Sequence, residues 1–413
     1  MNRTVAQQPP SPLGAAAHRF ALLGGPPAFD AMLPVGQLYF PSLERYEQSM
    51  RGIFERGYYT NHGPLIAEFE RRLADKLGVR HAICVTNATI GLIIAALALQ
   101  LRGKVIVPSF TFLASAQSLT WAGLEPVFCD VDPRTCLMTP ELVEPLIDDD
   151  VSAILGVNLW GGACDPVGLE RLAERHGIPV YFDSAHGFGC SVGGKPLGGF
   201  GALEVFSFHA TKVLNATEGG CVCTNYDDVA ARLRSMRSSY GIDAPARVPA
   251  TLNGRFSEAQ AAVGLMSLED FEANRDHNRR LYERYREKLR GIAGIEVVEA
   301  DGVDRTNYQY VVCRVDEARL GLGRDELART LKAENLNVRR YFHPGTHRSI
   351  PYDTQLPQYR DRLPATDLLC RTLIQFPIGA LVEPDDVDKI VALIASVPAR
   401  AGDLRRALAQ PVS

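Results

Sequence analysis

Lys212 closes the run Phe206-Ser207-Phe208-His209-Ala210-Thr211-Lys212. Twenty-nine residues earlier, Asp183 ends the apolar run Ile178-Pro179-Val180-Tyr181-Phe182. A lysine amine can condense with an aldehyde and later move protons. A carboxylate delivered by a strand end can keep a pyridine nitrogen protonated, so that the ring accepts the electrons of a carbanion. One lysine and one carboxylate in those roles are what pyridoxal phosphate requires of a protein.

Other residues supply what that cofactor would further need. Thr86-Asn87-Ala88-Thr89 is a polar turn between a strand and a helix, where backbone N–H groups and the helix dipole make an anion site. Read alone, it is also an ordinary N-cap. Ser207, five residues before Lys212, is a second anion candidate or a core serine. Phe112 follows Pro108-Ser109-Phe110-Thr111 just past a strand end, placed to stack on a flat ring or to fill the core. A carboxylate after an apolar strand is costly without a partner, and a protonated pyridine nitrogen would be one for Asp183. His186, three residues on, could support the ring or the aspartate. Phe206 and Phe208 argue against Lys212 being a solvated surface lysine, and Gly219-Gly220 suits a tight return into the next strand.

The elements that must carry these residues alternate. A helix is predicted over Leu65–Leu77, with Gly78 as its stop, and a strand over His81–Val85. A helix follows to about Leu101, then a strand from Lys104 to Pro108, a helix from Phe112 to Ala122 and a strand from Pro126 to Asp130. Further strands are predicted at 152–157, 178–182, 202–208 and 220–224, with a helix at 169–176. Strand–helix repeats with continuously apolar strands imply an α/β fold, a mostly parallel central sheet between helices. In such sheets ligands lie beyond the strand ends. From about Phe256 the pattern changes to helices over Glu258–Leu268, Glu269–Leu289, Asp325–Asn335 and Pro384–Ser396, with strands at 294–298 and 308–312. The expected organisation is a tail over 1–18, a large domain over 19–255, a smaller C-terminal α+β domain over 256–400, and a second tail over 401–413.

Bulk properties narrow the class. With 413 residues, two domains and a large core are possible. A net charge of −4 gives no reason to expect a nucleic acid or an anionic membrane as partner. The nine cysteines are odd in number, scattered and without a C-x-x-C pair, which suits free thiols in a reducing cytoplasm. The first eighteen residues lack the basic start and apolar core of a signal peptide, and the apolar run from Ile90 to Leu101 is too short to span a bilayer. No metal is expected: Cys221 and Cys223 have no third ligand nearby in sequence, and Pro344 and Gly345 break the helix that His343-x-x-x-His347 would need.

The run from Phe182-Asp183-Ser184-Ala185-His186 through Ser207-Phe208-His209-Ala210-Thr211-Lys212 to Glu218-Gly219-Gly220 resembles the DegT/DnrJ/StrS aminotransferases, as does Asn253-Gly254-Arg255-Phe256-Ser257-Glu258-Ala259-Gln260. The resemblance extends from about Leu33 to Ile394. It implies a fold type I aminotransferase that uses pyridoxal phosphate to aminate a nucleotide-linked keto-sugar. It further implies a homodimer with shared active sites, Lys212 as the aldehyde-binding residue, Asp183 as the pyridinium partner and His186 beside the ring. Phe112 takes the stacking position. Ala88, Thr89 and Ser207 match phosphate binders, and Asn253 matches the one lent by a neighbouring subunit. Many members read Ser-Gly-Thr where this chain reads Asn87-Ala88-Thr89.

Thr60-Asn61-His62-Gly63-Pro64, Leu159-Trp160-Gly161 and Arg339-Arg340-Tyr341-Phe342-His343-Pro344-Gly345 resemble the branch acting at C4 of dTDP-4-keto-6-deoxyhexoses, with L-glutamate as amino donor. Asn61, Tyr341 and His347 are the candidates near the sugar. Asn158 stands where that branch often has His, and Ser184 where Ala is usual. A 3-keto-sugar aminotransferase and a non-catalytic regulator on the same fold are the alternatives. A nicotinamide oxidoreductase is disfavoured because no G-x-G-x-x-G follows the first strand.

Overall fold

The computed structural model describes residues 18–238 and 246–410. The predicted tail over 1–18 lies outside the described residues except for His18, and so do the last three residues of the tail predicted over 401–413.

A seven-stranded sheet forms the large domain. Its strands are β1 (His81–Val85), β2 (Lys104–Pro108), β3 (Glu125–Cys129), β4 (Val151–Val157), β5 (Val180–Asp183), β8 (Glu204–Ser207) and β9 (Gly220–Thr224); β6 (Ser191–Val192) and β7 (Lys195–Pro196) make a separate hairpin. The order is β1-β9-β8-β5-β4-β2-β3, and every neighbouring pair is parallel except the two made by β9. The strands are apolar along their whole length because helices cover both faces. On one side Ile66, Phe69, Leu73 and Leu77 of the helix Pro64–Leu77 pack against Cys84, Ile106, Ile154 and Phe206. On the other, Leu92, Ile94 and Ala95 of the helix Ala88–Ala98 meet Val85, Val107, Leu155 and Val205. Gly91 lets that helix lie close to the sheet, since a Cβ there would come within 2.9 Å of Val205.

The small domain is built on the antiparallel sheet β10 (Ile295–Val297), β11 (Val311–Val315) and β12 (Leu373–Phe376). The helices Phe271–Leu289, Arg324–Ala333 and Pro384–Ala409 pack around it. Phe20 and Phe29 from the N-terminal segment join this core. Buried Glu334 holds that segment by accepting from the Ala21 and Ala28 amides. The helix Glu258–Glu269 packs with the large domain through Ala261, Leu265 and Leu268, so the change of texture at Phe256 precedes the change of core.

Two sequence expectations need correction. The tail predicted from residue 401 is helical to Ala409: the last helix runs through Pro398 because Leu404 and Leu408 are buried beyond it, and that packing outweighs the proline's lost hydrogen bond. The strand predicted over 308–312 begins only at Val311. Tyr308 has φ +54°, and the preceding Asn307 donates to the His186 and Phe188 carbonyls. That segment joins the two domains instead of extending the sheet.

Candidate active site

Strands β1, β4, β5 and β8 deliver the polar residues that follow them to one end of the large sheet. A cavity of about 330 Å³ opens there, lined on one side by Asn87, Ala88, Thr89, Phe112, Asn158, Asp183, His186, Ser207 and Lys212. Arg339, Tyr341 and Phe342 of the C-terminal half close the other side.

Asp183 is the last residue of β5 and is only 6% exposed. Ser115 donates to its Oδ2 at 2.7 Å, and the Ala185 amide donates to Oδ1 at 3.1 Å. Burial pushes the carboxyl upward from its ordinary value, against the pull of Ser115, Ala185 and Lys212. No cationic side chain among the described residues forms an ion pair with it. A buried carboxylate that faces a cavity without a cation is suited to a cationic ligand atom.

Lys212 follows β8 in a tight turn, its amide donating to the His209 carbonyl. Burial lowers the amine to about 8, with Tyr341 and Asp183 pulling the other way. Near neutrality such an amine can both give up and take a proton. Its Nζ donates to the Tyr310 hydroxyl at 3.3 Å. Tyr310 also packs on His186, ring centroids 4.6 Å apart. Burial holds His186 neutral, far below the ordinary histidine value, and its Nδ1 accepts from the Trp160 amide at 3.5 Å. Nε2 therefore carries the hydrogen.

The opposite end of the cavity is built for an anion. Asn87 caps the helix Ala88–Ala98 through Oδ1, which accepts from the Ile90 amide at 2.9 Å. The side chain is thus spent on the cap, and what the turn offers a ligand is its first amides, the Thr89 hydroxyl and the helix dipole. Ser207 ends β8 beside it. The sheet register sets Gly220 opposite both Val85 and Ser207. A Cβ on Gly220 would lie 2.8 Å from the Ala88 nitrogen, so only glycine lets β9 run beneath the turn.

Phe112 is 61% exposed at the N-terminus of the helix Leu113–Trp121, which excludes the core reading and suits a face held for a flat ligand. Tyr341 lines the cavity, and Arg339 Nη1 donates to its hydroxyl at 2.9 Å. Arg339 is itself fixed by backbone hydrogen bonds in both directions with Gln375 of β12. His347 is among neither wall's residues: it is buried, its Nδ1 shares a hydrogen with the Ser109 hydroxyl at 2.7 Å, and its Nε2 faces Asp367 at 3.4 Å. Asn61 and Asn253 are exposed and do not line this cavity. Ser115 and Tyr310 are contacts that no quoted motif contained, and Arg339 stood in a quoted motif without being chosen as a site residue. Ser115 lies four residues past Thr111 in the turn after β2, to which it is hydrogen-bonded, and that spacing is its local signal.

These residues fit pyridoxal phosphate. A desolvated lysine, a buried carboxylate without an ion-pair partner among the described residues, an exposed aromatic face and an anion-accepting helix start surround one cavity. Among the described residues there is no cluster of three or more His, Cys, Asp or Glu side chains able to hold a metal, and no helix long and apolar enough to cross a membrane. All nine cysteines are buried and free.

Comparison with known proteins agrees with this geometry. The family model described as the DegT/DnrJ/EryC1/StrS aminotransferase family matches residues 43–395. A dTDP-4-amino-4,6-dideoxy-D-glucose transaminase of Shigella dysenteriae is 35% identical over 310 residues, covering 75% of this chain and 84% of the relative. A GDP-perosamine synthase of Caulobacter vibrioides is 33% identical over 341 residues, covering 81% and 90%. A crystal structure of DesI in the presence of its TDP-sugar product superposes with a TM-score of 0.89 at 40% identity, covering 95% of this chain and 99% of that one.

Proposed function

This chain belongs to the DegT/DnrJ/EryC1/StrS aminotransferase family, and from that membership we propose that it converts dTDP-4-keto-6-deoxy-D-glucose to the 4-amino-4,6-dideoxy sugar, with L-glutamate as donor and pyridoxal phosphate as cofactor. The observation that carries the chemistry is the pairing of Lys212 with Asp183 in one desolvated cavity. The relatives from Shigella dysenteriae and Caulobacter vibrioides, with the DesI structure, support a nucleotide-linked amino sugar. A 3-keto sugar is the alternative within the same family.

When bound, pyridoxal phosphate supplies an aldehyde that carries the amino group between substrates and a ring that accepts the electrons released at carbon. The residues of this chain do the rest. Ala88, Thr89 and Ser207 would hold the phosphate, and Phe112 would face the ring. Asp183 would keep the ring nitrogen protonated, and Ser115 and the Ala185 amide keep Asp183 an acceptor. Lys212, desolvated to about 8, takes a proton from the donor's α-carbon and later returns one to the sugar carbon. Neutral His186 would stand beside the ring. Glutamate leaves as 2-oxoglutarate, and the keto-sugar leaves as an amine.

Tyr341 is the sugar-side residue best supported by position, since it lines the cavity opposite the sheet. A homodimer accounts for Asn253 and Asn61, which are exposed and would serve a neighbouring subunit's cavity rather than their own. Purified protein incubated with pyridoxal phosphate, glutamate and dTDP-4-keto-6-deoxy-D-glucose should yield a C4 amine by mass spectrometry and NMR. If glutamate is deaminated but no amino sugar forms, the substrate assignment fails and the aminotransferase stands.

A further inference from the structure

Lys212 sits on the large domain, yet among the described residues the side chain its amine hydrogen-bonds belongs to the C-terminal half. Tyr310 begins the approach to β11, is 4% exposed, and accepts from Lys212 Nζ at 3.3 Å. Its position is fixed from several directions. Asn307 Nδ2 clamps the preceding turn to the His186 and Phe188 carbonyls at 2.9 and 3.0 Å. The Gln309 amide donates to Asn307 Oδ1 at 3.0 Å, and Gln309 Oε1 accepts from the Val213 amide, the residue after Lys212. The Tyr310 ring lies against His186 and, edge-on at 6.1 Å, against Tyr341. The segment 307–310 therefore grips the chain on both sides of the cavity floor, at His186 and at Val213, and sets one hydroxyl between them.

We propose that Tyr310 is a positioning residue for Lys212: its hydroxyl, held by the Asn307–Gln309 clamp, fixes the free amine in place while that amine exchanges protons with the substrate carbon. The proposal rests on the aminotransferase reading of the cavity and does not depend on which sugar is used. The charged and titratable groups facing Lys212 are Asp183 from the end of β5, His186 from the turn after it, and Arg339 and Tyr341 from the strand-like segment paired with β12. Against that background a hydroxyl accepting from the ammonium form stabilises the charged amine, and removing it favours the neutral one. Burial holds the Tyr310 hydroxyl itself up at about 12, so it stays protonated and neutral through the working range.

The test is competitive acetylation of cofactor-free protein with acetic anhydride from pH 6 to 10, read by mass spectrometry on the peptide carrying Lys212. In the unmodified sequence the labelling midpoint should lie near 8. Tyr310→Phe should move it down by about one pH unit, raising labelling at pH 7 by about fivefold, as expected for loss of one hydrogen bond to a charged group. With cofactor restored, kcat should fall by about tenfold with KM for glutamate unchanged, because the amine is misplaced only for proton transfer. An unshifted midpoint in Tyr310→Phe overturns the proposal, even if kcat falls, since a merely structural tyrosine would do that. Labelling needs no sugar, so this failure would leave the proposed reaction untouched, and failure of the sugar assay would leave this contact untouched.

Discussion

Two carboxylates are buried on adjacent strands, and their surroundings differ in an instructive way. Glu204 on β8 lies opposite Phe182, one residue from Asp183, and is fully enclosed. Its Oε1 accepts from the Gly198 and Phe200 amides at 2.6 and 2.9 Å, and its Oε2 accepts from Ser184 at 2.5 Å. Ser184 in turn accepts from Asn158, whose Oδ1 accepts from the Cys164 amide. Every polar group in that chain finds a partner inside the protein. Asp183 has two donors, no ion-pair partner among the described residues, and a cavity in front of it. Burial pushes both carboxyls up, Glu204 to about 7, so burial alone does not tell function from structure. The distinction is whether the donor set closes within the protein or is left open toward a ligand.

Substitutions can break that contrast. The largest effect is expected from Lys212→Ala, which removes the group Asp183 works with: turnover should fall by about 10⁴-fold while the fold persists by circular dichroism. Steady-state activity near normal in that variant would remove lysine chemistry from this cavity. Asp183→Asn should lower kcat by about 10³-fold with little change in melting temperature, because the ring nitrogen loses its anionic partner. Ser115→Ala should cost about tenfold in kcat. Losing that donor raises the Asp183 carboxyl further, so the acid limb of the kcat profile should move to higher pH, which a pH series on the variant would show. The smallest effect on turnover belongs to Glu204→Gln, expected to stay within a few fold in kcat but to melt lower. Its signature is pH dependence. A carboxyl raised in the folded state contributes stability that is complete below its unfolded value and is lost as pH rises through the folded one. For Glu204 that window runs from the ordinary glutamate range to about 7, with an upper bound of about 3 kcal/mol. Melting curves from pH 4.5 to 8 should slope less in Glu204→Gln than in the unmodified protein; parallel curves would show that Glu204 does not titrate in that window.

The wall of the cavity contributed by the large sheet was legible in sequence because each member follows an apolar strand. That rule placed Asn87–Thr89, Phe112, Asp183, His186, Ser207 and Lys212 around one space. Alternating strands and helices likewise announced the parallel sheet. The facing wall was not legible in the same way. Tyr310 reaches Lys212 across ninety-eight residues, and its apolar neighbours read as strand until the Asn307 clamp turns the backbone. His347, expected near the sugar, lies buried between Ser109 and Asp367. Ser184 and Asn158 were visible only as unusual residues; their shared hydrogen bond with Glu204 beyond it gives the reason they occur together. Local pattern fixes what a strand end offers, while the approach of a second domain depends on packing that no short window contains.

Gly220 carries a consequence for assembly. It lies opposite both Val85 and Ser207, under the first amide of the anion-accepting turn. A slip of β9 by one position would bring Cys221 to that place, and its side chain would occupy the space the Ala88 nitrogen needs. The correct alignment of β9, the strand antiparallel to both its neighbours in the large sheet, and the opening of the anion-accepting turn are thus a single geometric condition.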